Sequence, residues 1–478
     1  MPSKKTLNAE NLEAMGAKRL AELLIDIAEG DVATKRRLRL ELAAREAPET
    51  VAAEVRKRLG QIARARSFVD WRKVRDLAAE LEAQRRAILD QAAKIDPVEA
   101  LELMWRFMGL AESVQERCDD SNGVIGDVFR GACRDLGPLT ELAKPDPVAL
   151  ADRVFEALNE NDYGQYDHLI ETLAPALGDK GLDHLKARFV ALSKTPVQTP
   201  PQDERKVIGW GTGGPMYEDE IAARSRESII HLALQEIADA QGDVDAFIAQ
   251  YDGKTRRVAR IAVEIARRLL AAGRPEEALE TIEAAERRRG SWPDFDWEDA
   301  RIETLDALGR SDEAQAARWS CFRRALSAEH LRAYLKRLPD FEDVEAEERA
   351  LDHAERYESL LHALAFLVSW PALDRAARLV TRRAGELDGD HYDILSPAAD
   401  ALAGKHPLAA TLVLRSMIDF TLTKARSSRY RHAARHFLGC ASLASSIPDF
   451  GAFETHEAYA ARLKAEHSRK SGFWSLIS

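Results

Sequence analysis

Two histidines and one cysteine recur at a helical spacing in the last fifty residues. His432, His436 and Cys440 fall at i, i+4 and i+8, so they share one face of a helix. Imidazoles at i and i+4 can bind the same zinc ion. With a helical rise of about 1.5 Å per residue, His432 and Cys440 are roughly 12 Å apart, too far to share an ion. No nearby carboxylate completes the set, so the spacing favours packing or interface histidines, and we predict no metal and no cofactor.

An acidic turn, residues 119–123, has the residue types of a calcium loop, Asp-Asp-Ser-Asn-Gly. Laid on the EF-hand template, however, the turn places Cys118 at position one and Phe129 at position twelve, so both anchoring ligands are missing. The pattern favours a turn between helices whose side chains cap the next helix. Three of these side chains remain candidate contacts for a partner: Asp119, Asp120 and Asn122.

A segment rich in proline and glycine interrupts the helical pattern over residues 193–216. Its Gly-Trp-Gly-Thr-Gly-Gly run at 209–214 could suggest a phosphate loop, but no strand pattern precedes it and no Gly-Lys-Ser/Thr follows. Proline and glycine do not continue a helix, and a loop of this length is usually functional or a linker. Trp210 and Tyr217 are the candidate anchors for a partner, because aromatic side chains supply much of the binding energy at protein interfaces.

Basic residues concentrate in the first 75 positions of a chain whose formal net charge is −11. Such a concentration can track the phosphates of a nucleic acid. Acidic residues are interleaved with the basic ones, which is also typical of a solvated helix surface with i,i+4 ion pairs. Nucleic-acid binding is therefore the alternative function, and its candidate residues are Arg36, Arg37, Arg39, Arg64 and Arg72.

The composition indicates an all-α protein. The 478 residues are 45% hydrophobic and 31% charged but only 7% aromatic, and strong helix formers dominate. The four cysteines are too scattered for a disulfide framework or a four-ligand zinc module. Neither a secretion signal nor an apolar run long enough to cross a membrane is visible, so we expect a cytoplasmic protein without a membrane partner.

Two similar stretches indicate how the helices are arranged. Gly309 follows Gly273 by 36 positions, and each glycine ends one helical pattern shortly before an acidic first turn begins another. A repeat of this period is typical of stacked helical hairpins. The residues around Gly273 fit a tetratricopeptide-like pattern, whereas the second copy has Arg318 where the first has Ile282. We therefore predict an irregular α-solenoid of antiparallel hairpins.

The domain prediction follows from these patterns. We expect an N-terminal helical domain over 1–195, a loop or linker over 196–216, and a TPR-like repeat domain over 217–478.

Short segments along the chain carry a resemblance to a known family. They are Leu20–Leu24, Phe68–Arg72, Asp119–Gly126, Tyr459–Leu463 and His467–Trp474. In this order they resemble the helical region that accompanies SWIM-type zinc fingers in bacterial proteins, a family of unknown function. The zinc finger itself needs a Cys-x-Cys pair and a Cys-x-His pair, which this sequence lacks. The resemblance thus implies a helical scaffold and assigns no zinc ligand or catalytic residue.

The functional prediction is a scaffold rather than an enzyme. No nucleophile elbow, triad order or paired-carboxylate pattern joins the serines, cysteines and histidines of the chain. Helical-repeat proteins usually present an extended surface to another macromolecule. We expect a non-catalytic protein that binds a protein or peptide partner.

Overall fold

Helices form nearly all of the regular structure in the computed structural model, which describes residues 7–29, 34–35, 38, 51–197, 200–201, 203–286 and 292–477. The chain divides into two units, Met1–Asp252 and Gly253–Ser478. Each unit has apolar core residues of its own. None of the described helices is both long and apolar enough to cross a membrane.

The first unit is a set of sequential helices with one β-hairpin. Its described helices are α1 (Ala9–Glu13), α2 (Ala17–Ala28), α3 (Val51–Arg64), α4 (Val74–Ala87), α5 (Ala93–Ile95), α6 (Pro97–Met108), α7 (Ala111–Gln115), α8 (Val124–Ala143), α9 (Pro147–Asn159), α10 (Leu169–Lys194), α11 (Glu218–Gln241) and α12 (Val244–Ala249). A π-helical turn, Ile88–Ala92, joins α4 to α5, and α10 bends at Gly178, whose φ is 52°. The strands β1 (Val207–Gly211) and β2 (Gly214–Tyr217) lie between α10 and α11.

Proline and aspartate start two of these helices. The Asp96 carboxylate accepts from the amides of Val98 and Glu99 at 3.0 and 3.1 Å, directly before Pro97. Asp146 caps α9 in the same way. The caps satisfy amides that have no partner within the helix, and proline at the first position loses no hydrogen bond.

The regular structure described in the second unit is helical, apart from an isolated bridge between Val258 and Glu286. Its helices are α13 (Ala259–Ala271), α14 (Pro275–Glu283), α15 (Phe295–Ala307), α16 (Ser311–Ala325), α17 (Ala328–Leu335), α18 (Glu342–Glu355), α19 (Leu360–Ser369), α20 (Leu373–Arg382), α21 (Tyr392–Ala403), α22 (Pro407–Thr423), α23 (Tyr430–Ala444), α24 (His456–His467) and α25 (Ser471–Trp474). Consecutive helices pack as hairpins, and several helices also contact the next helix but one, as α13 contacts α15 and α19 contacts α21. This pattern is that of an α-solenoid, and the predicted all-α fold class is confirmed.

The two similar stretches are structurally equivalent turns. Gly273 and Gly309 both adopt a left-handed conformation, with φ of 73° and 70°. In both turns the amide of the following arginine donates to a carbonyl five residues earlier, at 2.8 Å for Arg274 and 2.9 Å for Arg310. Glycine is favoured here because a Cβ atom strains this conformation.

The degenerate position of the second repeat is filled by an ion pair rather than by an apolar side chain. Arg318 is buried, forms a salt bridge with Asp306 and donates to Gln315 Oε1 at 3.0 Å. Its counterpart Ile282 is fully buried in the first repeat. The arginine is tolerated because its charge is paired within the same hairpin.

Two predictions about the middle of the chain need correction. Residues 207–217 form a β-hairpin rather than an irregular loop, so the chain is not devoid of strands. The structure divides the chain after Asp252, whereas the sequence placed the boundary in 196–216. The reason is that α11 packs against α10, and its residues Ile230, Ala233 and Ile237 complete the core of the first unit.

Candidate functional site

The acidic turn, residues 119–123, precedes α8, and its Asp120 side chain stabilises the start of that helix. Asp120 accepts from the amides of Ile125 and Gly126, both at 3.0 Å, with one carboxylate oxygen for each amide. Asp119 accepts from the amide and the hydroxyl of Ser121 in the same turn. Asp120 therefore caps the helix, as the turn pattern predicted, and both of its oxygens are occupied by the protein.

A backbone bridge connects this turn to a second segment of the first unit. The amide of Val69 donates to the Arg117 carbonyl at 2.8 Å, and the amide of Asp119 donates to the Val69 carbonyl at 3.0 Å. The aromatic residues on either side of the bridge, Phe68 and Trp71, are exposed. The turn and these two aromatics are thus neighbours, although they are about fifty positions apart in the sequence.

The candidate nucleic-acid residues are only partly covered by the structure. Arg36, Arg37 and Arg39 lie outside the described residues. Arg64 is exposed at the end of α3, and the Arg72 guanidinium stands 5.2 Å from the centre of the Trp71 ring.

Acidic partners neutralise part of the basic helix α3. Arg56 forms a salt bridge with Glu99, and Arg58 forms one with Glu80. The second of these pairs is largely shielded from solvent. Neutralised arginines attract phosphates less than free ones, so these contacts support the surface-helix interpretation more than the nucleic-acid one.

The two histidines of α23 do not have the surroundings of a metal site. His432 is exposed, and its Nδ1 atom lies 3.5 Å from the guanidinium of Arg435. Burial, assisted by Arg435, lowers the pKa of His436 to about 4. Among the described residues, no group of three or more His, Cys, Asp or Glu side chains could hold a metal ion.

The hairpin presents its aromatic residues on one face. Trp210 pairs with Pro215, and Gly211 pairs with Gly214 across the Thr212–Gly213 turn. Tyr217 lies two positions after Pro215, so it shares the face of Pro215 and Trp210. The register shifts between Val207 and Gly209, so the strand pairing contains a β-bulge. The structure therefore places the two predicted anchors on the same face of the hairpin.

An arginine clamp fixes the base of the hairpin. The Arg205 guanidinium stands 3.8 Å from the centre of the Tyr217 ring. It donates from Nε to both oxygens of Asp219, at 3.0 and 3.1 Å, and from Nη2 to Glu220 at 2.6 Å. These hydrogen bonds raise the pKa of Arg205, Asp219 contributing most. The clamp ties the hairpin to the first turn of α11, and the Tyr217 ring packs against the Arg205 guanidinium.

Trp210 stands apart from the clamp. Trp210 is 80% exposed, compared with 59% for Trp71 and 50% for Trp292. In the described part of the chain, no hydrogen bond, ring or cation contact engages its indole. A tryptophan in water on a fixed hairpin is available to bind another molecule, because burying it would remove about 200 Å² of surface from solvent.

A cleft of about 570 Å³ in the second unit contains polar side chains that the sequence patterns did not single out. Tyr459 is fully buried at its wall and donates to Asp419 Oδ1 at 3.1 Å. Arg462 donates from Nη2 to Asp419 Oδ2 at 3.2 Å and from Nε to Glu454 at 3.1 Å. These partners come from α22, α24 and the segment between α23 and α24, so no local sequence signal predicts the cluster.

Burial raises the pKa of three ionisable groups in or beside this cleft. Burial raises the pKa of Asp419 despite its pairing with Arg462. Burial, and then the neighbouring Asp419, raise the pKa of the Tyr459 hydroxyl. Burial also raises the pKa of the adjacent Cys440 thiol to about 12. A phenol and a thiol that stay protonated are weak nucleophiles, so this arrangement favours a structural role.

Arg415 lines the same cleft but turns part of its guanidinium inward. It is 5% exposed and donates from Nη1 to the Glu454 carbonyl at 2.7 Å. Its Nε and Nη2 atoms are shut off from solvent, and the guanidinium lies against the Cys440 thiol and over the Tyr459 ring, 4.4 Å from the ring centre. These contacts explain the position of the arginine through packing within the unit.

Comparisons with known proteins define the relatives of the chain but not its activity. Among solved structures, it is similar to a circular tandem repeat protein with novel repeat topology and enhanced subunit contact surfaces, at 14% sequence identity and a TM-score of 0.13. That alignment covers 95% of this chain and 91% of the other. No curated protein matches the chain.

The family comparison covers nearly the whole sequence. A single profile, described as a family of unknown function, matches residues 2–476. The matched residues include both units. The more specific resemblance to the SWIM-associated region stays a prediction. The chain belongs to this family, DUF6880.

Proposed function

We propose that this protein is a non-catalytic interaction scaffold that binds a protein or peptide partner through the hairpin 207–217, with Trp210 as the principal anchor. The observation that carries the proposal is the 80% exposure of Trp210 on a hairpin whose base is fixed. Tryptophans are enriched among the residues that dominate interface energies.

The clamp makes the hairpin a suitable recognition element. Arg205, stacked on Tyr217 and bonded to Asp219 and Glu220, holds the base of the hairpin before any partner arrives. Binding then costs little conformational entropy in the protein, because the anchor already has a defined position. An indole also has few rotatable bonds to immobilise.

The remainder of the chain fits the role of a support. Apart from the hairpin, the regular structure of both units is mainly helical, and helical repeats are commonly used to display binding surfaces. All four cysteines are free thiols, which agrees with the cytoplasmic setting that the composition predicts.

The experiment compares two exposed tryptophans of the same unit. Wild-type protein, Trp210→Ala and Trp71→Ala are immobilised at equal density, and a stoichiometrically captured protein is identified by mass spectrometry and purified. Its affinity for each variant is then measured. We expect Trp210→Ala to weaken binding by about 30-fold or more, corresponding to 2 kcal/mol for an interface hot spot.

The control has a defined expectation. Trp71 is 59% exposed but belongs to the segment beside the acidic turn, so Trp71→Ala should leave the affinity unchanged. Both variants should keep the wild-type thermal midpoint, because both side chains are exposed. A partner that binds Trp210→Ala as tightly as wild type would contradict the proposal, as would the absence of any stoichiometric partner.

A further inference from the structure

The hydrogen-bond pattern of the hairpin fixes which backbone groups face outward. A two-residue loop, Thr212–Gly213, places Gly211 and Gly214 in a hydrogen-bonded pair. At the other end, the amide of Glu218 donates to the Lys206 carbonyl at 2.9 Å, so this pair is also hydrogen-bonded. Hydrogen-bonded and non-hydrogen-bonded pairs alternate in an antiparallel ladder. With the β-bulge taken into account, both ends give the same assignment for the residues between them.

The two outer edges of the hairpin are therefore different. Trp210 and Pro215 form a non-hydrogen-bonded pair, so their backbone groups point away from the partner strand. On the β2 side this position is a proline, which has no amide hydrogen to donate. On the β1 side the amide and carbonyl of Trp210 face outward, followed by those of Val207. On β2, Pro215 leaves Tyr217 as the outward amide donor of these two pairs, whereas on β1 both Trp210 and Val207 offer an outward amide, so β1 is the edge better able to accept another strand.

The chemistry of the hairpin limits what can pair with that edge. From Val207 to Tyr217 the sequence has no Asp, Glu, Lys, Arg or His. A partner strand that carries charges opposite these residues would lose hydration without gaining an ion pair. An uncharged strand loses nothing comparable, and a cross-strand apolar side chain would pack on the indole of Trp210.

A second copy of the chain is a less suitable occupant than a peptide. The exposed apolar side chains of the hairpin are Val207, Ile208, Trp210 and Met216. Their combined exposed surface is on the order of 400 Å². Two such hairpins would bury less than the roughly 1,200 Å² that stable protein interfaces need. A single peptide strand has no such requirement, because main-chain hydrogen bonds supply part of its affinity.

We propose that the partner contributes an extended, uncharged peptide segment that adds to the outer edge of β1 as a third strand, with Trp210 packed against one of its side chains. This inference rests on the proposed function and specifies how the partner is recognised. It also predicts the kind of sequence that binds, a short run with apolar or β-branched residues at alternate positions.

The test uses peptides as the probe, so that it does not depend on a known partner. A phage-displayed library of random 12-residue peptides is selected on the full-length protein. The enriched peptides are synthesised, and their dissociation constants are measured by fluorescence anisotropy. Each peptide is then methylated at one backbone nitrogen at a time. Strand addition predicts a loss of at least tenfold in affinity at alternate positions within the short stretch that pairs with β1, and little change at the other positions.

Two protein variants examine the edge directly. Val207→Pro removes an outward amide from β1 and should weaken peptide binding. Pro215→Thr is the matched control, because it adds an amide to the β2 edge and leaves β1 unchanged. Binding to Pro215→Thr should equal wild-type binding or exceed it. The methylation series leaves the protein untouched, so it remains decisive even if Val207→Pro disturbs the hairpin.

The outcomes separate the two proposals. Peptides that need Trp210 but show no alternation on methylation would overturn strand addition and keep the anchor. Peptides that show the alternation but bind Trp210→Ala normally would overturn the role of the indole and keep the edge. Selected peptides that are highly charged, or that bind independently of both features, would overturn both.

Discussion

Replacing Asp120 by alanine should loosen the first turn of α8, because this carboxylate supports two amides that no helical carbonyl can reach. The amides of Ile125 and Gly126 each donate to one oxygen of Asp120 at 3.0 Å. Loss of an N-terminal cap costs about 1 kcal/mol, and loss of a negative charge near the helix start adds about 0.3–1 kcal/mol. We expect a local destabilisation of about 1–2 kcal/mol.

The appropriate measurement is local. A chain with two units need not unfold in one step, so a global unfolding measurement would not isolate a change at the start of α8. Hydrogen exchange followed by mass spectrometry instead reports the opening of individual segments. In Asp120→Ala, peptides covering residues 124–130 should exchange about 5–30-fold faster. Asp120→Asn keeps one acceptor oxygen and should show an intermediate effect.

Asp119→Ala is the matched control. Its carboxylate accepts from Ser121 in the same turn and not from the amides at the start of α8, so exchange in α8 should change less than about twofold. Equal acceleration in Asp119→Ala and Asp120→Ala would refute the capping argument. Unchanged exchange in Asp120→Ala would refute it as well, and would return both residues to the set of candidate partner contacts.

Three further predictions concern the second unit and the buried ionisable groups. Gly389→Ala should lower the thermal midpoint of unfolding markedly, because a Cβ there would overlap the carbonyl of Ser416, whereas Gly385→Ala has free space and should not; equal midpoints would contradict this packing. Burial raises the pKa of Cys133 and Cys440 to about 12. Iodoacetamide at pH 8 should therefore label these two thiols only after unfolding. Rapid labelling of Cys133 or Cys440 in the native protein would contradict their burial. The pKa of His436 is lowered from 6.5 to about 4, so protonation favours the unfolded chain and stability should fall between pH 6.5 and pH 4. In His436→Gln the pH dependence of the thermal midpoint should be shallower over this range, and an unchanged slope would show that another group is responsible.

The candidate site was only partly accessible from sequence. Trp210 was selected because aromatic side chains supply much of the binding energy at interfaces, and the structure leaves it 80% exposed. The hairpin was missed because its glycines and Pro215 resemble a loop, although Val207, Ile208 and Trp210 before the turn and Tyr217 after it favour strands. Arg205 could not be recognised as a clamp, since its partners Asp219 and Glu220 follow it by fourteen and fifteen positions.

Features that depend on neighbouring residues were predictable. The Asp96 cap, the left-handed turns at Gly273 and Gly309, and the all-α class follow from hydrogen bonds and backbone preferences within a few positions. These interactions are present in any chain with this local sequence, whatever the rest of the molecule does.

Other features were decided by contacts between distant positions. The bridge between Val69 and Cys118, the cluster of Asp419 with Tyr459, and the docking of α11 on the first unit each join segments that no local pattern relates. Their pairing depends on which apolar faces bury one another and on which buried polar groups then find partners. The sequence alone therefore determined the helices and their turns, while tertiary packing decided where the units divide and which side chains meet.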